Sequence, residues 1–167
     1  DDAATARVTA PSGTLMQGRR GLVMGVANDR SIAWGIAAAC AAQGAELAFT
    51  YQGEALLKRV EPLAASVGSS IVLPCDVTED ASIDAVFAAL ESRWGGLDFV
   101  VHAIAWSDKD QLKGRYLDTT RDNFVRSLDI SCYSFTAIFQ RAVKLMKPGG
   151  SLLTLTYLGA GRVTPHY

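Results

Sequence analysis

The chain has 167 residues, enough for one domain of ordinary size that buries roughly two-thirds of its unfolded surface. With 16 basic and 17 acidic residues and a formal net charge of −1, it offers no electrostatic footprint for nucleic acid or an anionic membrane. Apolar residues make up 49% and charged residues 20%, a soluble globular profile, and no apolar run approaches the ~20 residues of a membrane span.

Residues 1–18 (DDAATARVTAPSGTLMQG) lack both a basic segment and an apolar core, so they do not read as a secretion signal. They are expected to form a flexible leader ahead of a single domain over 19–167. Gly21 to Val26 predicts a short apolar strand, and Ser31 to Gln43 predicts an alanine-rich helix closed by Gly44. Ala45 to Tyr51 is the next strand. Between Gly53 and Val67, Leu56, Leu57, Val60, Leu63 and Ala64 recur at helical spacing. Ser70 to Leu73 is a third strand. Thr78 is placed to cap a helix with Glu79 and Asp80 in its first turn and Ile83, Val86, Phe87, Leu90 and Trp94 on one face. Asp98 to His102 is strand four. After a polar stretch, Ser107 to Asp118, a long helix is predicted from about Thr120 to Lys147, stopped by Pro148, Gly149 and Gly150. Ser151 to Thr156 is strand five.

Short apolar strands separated by helices predict an α/β fold, a Rossmann-like doubly wound parallel sheet, here ending after the fifth strand. Cys40, Cys75 and Cys132 are far apart and lie in apolar or helical context, so they are expected to be buried free thiols in a reducing cytoplasm. Neither they nor His102 and His166 have the spacing of a metal site.

The ends of successive strands carry the functional reading, because open α/β sheets bind ligands at that edge. After strand one, Gly25 lets the backbone turn tightly, Ser31 is positioned to cap the helix and offer a hydroxyl, and Gly35 is expected to permit close helix–sheet packing. A pyrophosphate would lie against that helix N-terminus. The spacing is longer than the usual G-x-G-x-x-G, and a plain helix start also explains it. After strand two stands Gln52, a neutral amide able to bond ribose or adenine, with no arginine directly beside it; this leans towards NADH over NADPH. Asp76 and Val77 follow strand three, where an acid can accept from an adenine amino group. Ala103, Ile104 and Ala105 follow strand four, small enough for a nicotinamide-side ribose to pass.

Tyr157 and Tyr167, ten positions apart, follow strand five. A phenol beside a hydride-delivering cofactor can donate a hydrogen bond to an oxygen that gains charge, which points to a reductase. Trp34, Trp94 and Trp106 read as core or interface. Phe124, Leu128, Tyr133 and Phe135 read as core and subunit contact. Lys109, Lys113 and Arg115 read first as a solvated loop.

Taken together, GVANDRSIAWGIA, AELAFTYQGE, CDVTEDASID, DFVVHAIAWSDKDQL, DISCYSF and LLTLTYLGAGRVTPHY closely resemble the bacterial NADH-dependent enoyl-acyl-carrier-protein reductases of type II fatty-acid synthesis, a branch of the short-chain dehydrogenase/reductase superfamily. The resemblance runs from about Gly18 to Tyr167, and the long G-x5-S-I turn and Tyr-x9-Tyr pair mark the branch. It implies that Gly25, Ser31 and Ile32 hold the pyrophosphate side of NAD and that Gln52, Asp76 and Val77 hold the adenosine side. By the same resemblance Ile104 meets the nicotinamide half, Ser107 the acyl substrate, and Tyr157 and Tyr167 are the active-site tyrosines. It further implies a trans-2-enoyl thioester on acyl carrier protein as substrate and a homotetrameric assembly. The family pattern continues past the second tyrosine with a lysine, the last strands and a helical flap, so the resemblance implies a fragment or an unrepresented remainder. Two alternatives stay open: a carbonyl (3-oxoacyl) reductase of the same superfamily, with Thr154 where such enzymes carry a serine, and an inactive nucleotide-binding module.

Overall fold

The structure, a computed structural model, describes residues 11–163. Its elements run β1 Arg20–Met24, α1 Ile32–Ala42, β2 Glu46–Tyr51, α2 Glu54–Ser66, β3 Val72–Pro74, α3 Asp80–Trp94, β4 Leu97–His102, α4 Arg121–Leu128, α5 Ser134–Leu145 and β5 Met146–Thr154. All strand pairs are parallel, and the sheet order is β3-β2-β1-β4-β5. The chain winds outward through β2 and β3, then crosses back to pair β4 with β1. That reversal is the switch point at which such sheets open a ligand crevice.

The two-residue period of the strands separates two cores. Val23, Phe49, Phe99 and Val101 face α1 and α2, meeting Ala33, Ala37, Val60 and Ala64. Leu22, Met24, Ala48 and Val100 point the other way, against Ile83, Val86, Phe87 and Leu90 of α3 and Ala137, Ile138 and Ala142 of α5. The residues expected on one face of α3 are therefore its buried stripe. Truncating a fully buried member such as Leu90 or Phe49 to alanine costs roughly 2–5 kcal/mol.

Several local expectations are corrected. The part of the expected leader that is described, residues 11–18, is tied to the end of α1. There the Gly13 N–H donates to the Ala42 carbonyl and the Met16 N–H to that of Gln43, both at 2.9 Å, and the Gln43 amide donates to the Pro11 carbonyl at 2.6 Å. The first two bonds supply donors to carbonyls that a helix C-terminus leaves open. Thr78 is not a cap: Glu79 holds that position, and the Thr78 hydroxyl donates to Asp76 Oδ1 instead. Gly35 faces outward with nothing near it, and Ala33 and Ala37 make the close packing. The expected single helix 120–147 is α4, a π turn at Asp129–Tyr133 and α5, which ends at Leu145. Pro148 disfavours helical geometry in the residue before it, so β5 begins at Met146, and Lys147 to Gly150 bulge opposite Asp98. Of the thiols, Cys75 is buried and Cys40 partly so, but Cys132 is exposed on the outer side of the π turn.

Candidate functional site

Residues following four strands line one crevice of about 270 Å³: Gly25 to Ala27 after β1, Thr50 to Gln52 at β2, Cys75 to Thr78 after β3, and Ala103 to Trp106 after β4, with Arg126 and Ile130 closing it from α4 and the π turn. Gly25 has φ +99°, and a Cβ there would run into the Ala103 carbonyl, so the β1 turn can pass β4 only as glycine. Ser31 is the N-cap residue of α1 but makes no side-chain cap; its hydroxyl donates to the Asn28 carbonyl at 2.7 Å and lies 3.4 Å from the Ala27 N–H. The expected cap is thus a loop clasp, which leaves the positive end of α1 to an anion. Ile32 opens α1 with 68% of its surface exposed and does not line the crevice.

Gln52 and Asp76 meet each other. The Gln52 amide donates to Asp76 Oδ2 at 2.8 Å, while the Thr78 N–H and hydroxyl donate to Oδ1 at 2.9 and 2.7 Å. These bonds, the Thr78 hydroxyl first, hold the carboxyl below its usual range. Burial, with the Asp76 charge beside it, pushes the neighbouring Cys75 thiol up to about 11, so it stays protonated. Val77 and Ile104 supply apolar walls. The donor set fits a dinucleotide: a glycine turn and free helix end for a pyrophosphate, an amide–carboxylate pair for an adenosine, and small residues at Ala103 and Ala105.

Ser107 stands beside the crevice, not in it. Its hydroxyl accepts from Ser127 at 3.2 Å, and the Asp108 N–H donates to Asn123 at 3.0 Å, stitching the loop after β4 to α4. Tyr157 is half exposed and precedes a 3-10 turn at Leu158–Ala160. Tyr167 and His166 lie outside the described residues. His102 is fully buried at the end of β4, 2.8 Å from the Ser134 hydroxyl and 3.1 Å from that of Thr154. Because Ser134 gives its proton to the Ile130 carbonyl at 2.6 Å, His102 Nε2 must be the donor to Ser134. Nδ1 then accepts from Thr154, and burial lowers the imidazole pKa, keeping it neutral. The Thr154 hydroxyl, which the carbonyl-reductase alternative needs at a substrate, is committed to His102.

Among the crevice residues that sequence reasoning does not single out are Trp106 and Arg126. Trp106 was read as core or interface, and Arg126 carried no motif. In the structure the Arg126 guanidinium lies over the Trp106 ring, 4.7 Å from its centroid. Among the described residues, no group of His, Cys, Asp and Glu could hold a metal ion, and no helix is long and apolar enough to cross a membrane.

Parallel strands in this order, with one crevice at their carboxyl ends across the switch point, define a Rossmann-like nucleotide-binding domain. Residues 25–167 match the family profile described as Enoyl-(Acyl carrier protein) reductase. The chain is 65% identical over 158 residues to enoyl-[acyl-carrier-protein] reductase [NADH] 1 of Rhizobium meliloti (strain 1021), covering 95% of this chain and 58% of that one. It is 67% identical over 153 residues to enoyl-[acyl-carrier-protein] reductase [NADH] 2 of the same strain, covering 92% of this chain and 57% of the relative. Among solved structures, the reductase of Anaplasma phagocytophilum in complex with NAD superposes with a TM-score of 0.90 at 56% identity, covering 95% of this chain and 61% of that one. The chain belongs to the enoyl-acyl-carrier-protein reductase family. It spans a little under three-fifths of the length of these curated relatives.

Proposed function

We propose that the protein containing this chain reduces the carbon–carbon double bond of a trans-2-enoyl thioester on acyl carrier protein, using NADH. The observation that carries the reading is the crevice itself, in which Gly25, Gln52, Asp76, Val77 and Ile104 converge from four strand ends on one groove. NADH, when bound, supplies the hydride. Membership of the family and the NADH in the relatives' names support this choice of cofactor and reaction.

The chain's residues then have separate tasks. The turn at Gly25 and the open end of α1 receive the pyrophosphate, with Ser31 holding the loop and Ile32 beginning the helix. Gln52 and Asp76, prealigned by their mutual bond, receive the adenosine. Val77 and Ile104 exclude water along the groove. Addition of hydride to the β carbon moves charge onto the thioester oxygen, and Tyr167 donates its phenolic proton in a hydrogen bond to that oxygen. Tyr157 packs near the thioester and assists proton delivery, and Ser107 borders the acyl path through its backbone. The dinucleotide-binding domain is taken to extend over 19–167, with residues 11–18 docked on the end of α1 and further elements in a longer polypeptide, and the enzyme to be cytoplasmic.

Assembly as a homotetramer is supported by an uncovered apolar face on α4, the π turn and α5, where Phe124, Val125, Leu128, Tyr133, Phe139 and Val143 are all exposed. A thioester assay tests the reaction: NADH should be consumed with crotonyl thioester and not with acetoacetyl thioester. The opposite preference would replace the proposal with a carbonyl reductase. Tyr167→Phe should lower kcat by roughly 10²–10³-fold, the usual loss of one oxyanion donor, with NADH affinity retained.

A further inference from the structure

We infer that Arg126, held over the Trp106 ring, is a binding residue for the adenine ring, whose plane stacks on the side of the guanidinium turned away from the indole. The inference deepens the proposed NADH site and rests on that reading for the identity of the dinucleotide.

Three observations carry it. Both residues line the crevice beside Gln52, Asp76 and Val77. Their geometry is held by the backbone beneath: the Trp106 N–H donates to the Ser131 hydroxyl at 2.9 Å, and that hydroxyl donates back to the Trp106 carbonyl at 3.0 Å. The Asp108–Asn123 and Ser127–Ser107 bonds fasten the same loop to α4, the helix that bears Arg126. Finally, among the described residues the guanidinium makes no hydrogen bond or ion pair; its contacts are the indole and the more distant field of Asp76. An arginine with no carboxylate partner among the described residues, placed over an aromatic at the rim of a groove, has one side and its N–H edge left for a ligand. A delocalised planar cation stacks well on a purine, which an ammonium does not. Asp76 is held by Thr78 and Gln52, and no ion pair joins it to Arg126.

Calorimetry on the purified protein with 5′-AMP, 2′,5′-ADP, NADH and reduced nicotinamide mononucleotide tests the assignment, with circular dichroism confirming that each variant is folded. Arg126→Ala is expected to weaken AMP and NADH by about tenfold, within the range of a desolvated cation–π contact, and to leave the mononucleotide unchanged. Arg126→Lys should recover little, because it restores charge without the plane. Trp106→Leu, which removes the platform, should weaken AMP in the same direction, and Trp106→Phe should retain most of the affinity. Full recovery by Arg126→Lys, or a loss confined to 2′,5′-ADP, would overturn base stacking in favour of phosphate recognition. Unchanged AMP affinity in Arg126→Ala would overturn it outright. Wild-type protein that binds AMP through Arg126 but never consumes NADH with an enoyl thioester would sink the proposed activity and leave this assignment standing.

Discussion

Gly25→Ala tests the tightest feature of the site. Gly25 sits at φ +99°, and an added Cβ would lie 2.6 Å from the Ala103 carbonyl carbon and closer still to its oxygen. Ala103 has little room to retreat, since its N–H donates to the Met24 carbonyl at 3.0 Å and so extends the β1–β4 ladder. Gly68 is the matched control: φ is +76°, but nothing lies within 4 Å of a Cβ there. Left-handed geometry costs a non-glycine residue roughly 1–2 kcal/mol at either position. The steric conflict at Gly25 adds roughly 1–3 kcal/mol, the usual range for overpacking. Gly68→Ala should therefore lose roughly 1–2 kcal/mol and Gly25→Ala roughly 2–5 kcal/mol. Equilibrium urea unfolding, followed by the fluorescence of Trp34 and Trp94, measures both. Equal losses for the two variants would show that the β1 turn does not press against β4, and the account of the crevice floor would fail with it.

The Asp76 carboxyl has a folded pKa below its unfolded value, so its stabilising effect is complete above the unfolded value and disappears as pH falls through the folded one. Asp76→Asn should accordingly flatten the acid side of a stability–pH profile below about pH 4, with the difference from wild type shrinking as the pH drops further; a constant offset at all pH values would refute the linkage. Thiol labelling of the native protein at mildly alkaline pH should modify exposed Cys132 first and leave Cys75, whose pKa is about 11, unlabelled until the protein unfolds. Rapid native labelling of Cys75 would contradict its burial.

Much of the scaffold was legible in the chain because periodicity is local information. Short continuous apolar runs in β1, β2 and β4 announce strands covered on both faces, and the spacing of Ile83, Val86, Phe87 and Leu90 announces the buried stripe of α3. Gly25, Gln52, Asp76, Val77 and Ile104 could be singled out because each follows a strand, and strands in such folds deliver their following residues to one edge. Ile32 and Ser107 illustrate where that logic stops, since neither lines the crevice. Whether a residue one or two positions beyond a motif points inward depends on the path of the loop. The boundary of α5 and the start of β5 were misplaced for a similar reason: Pro148, Gly149 and Gly150 usually end an element, but here sheet pairing continues around them as a bulge.

The amino-acid order by itself determined the alternating α/β plan, the strand-end positions able to receive a dinucleotide and the likeness to a reductase family, since these reside in short segments read one at a time. Tertiary structure alone decided which side chains meet. It turned the Gln52 amide onto Asp76, committed the Thr154 hydroxyl to buried His102, and laid Arg126 of α4 over Trp106 at the end of a different segment. Such encounters depend on strand order, register and the π turn that reaches back to the β4 loop. Those properties arise only when distant segments pack together, and no window of sequence contains them.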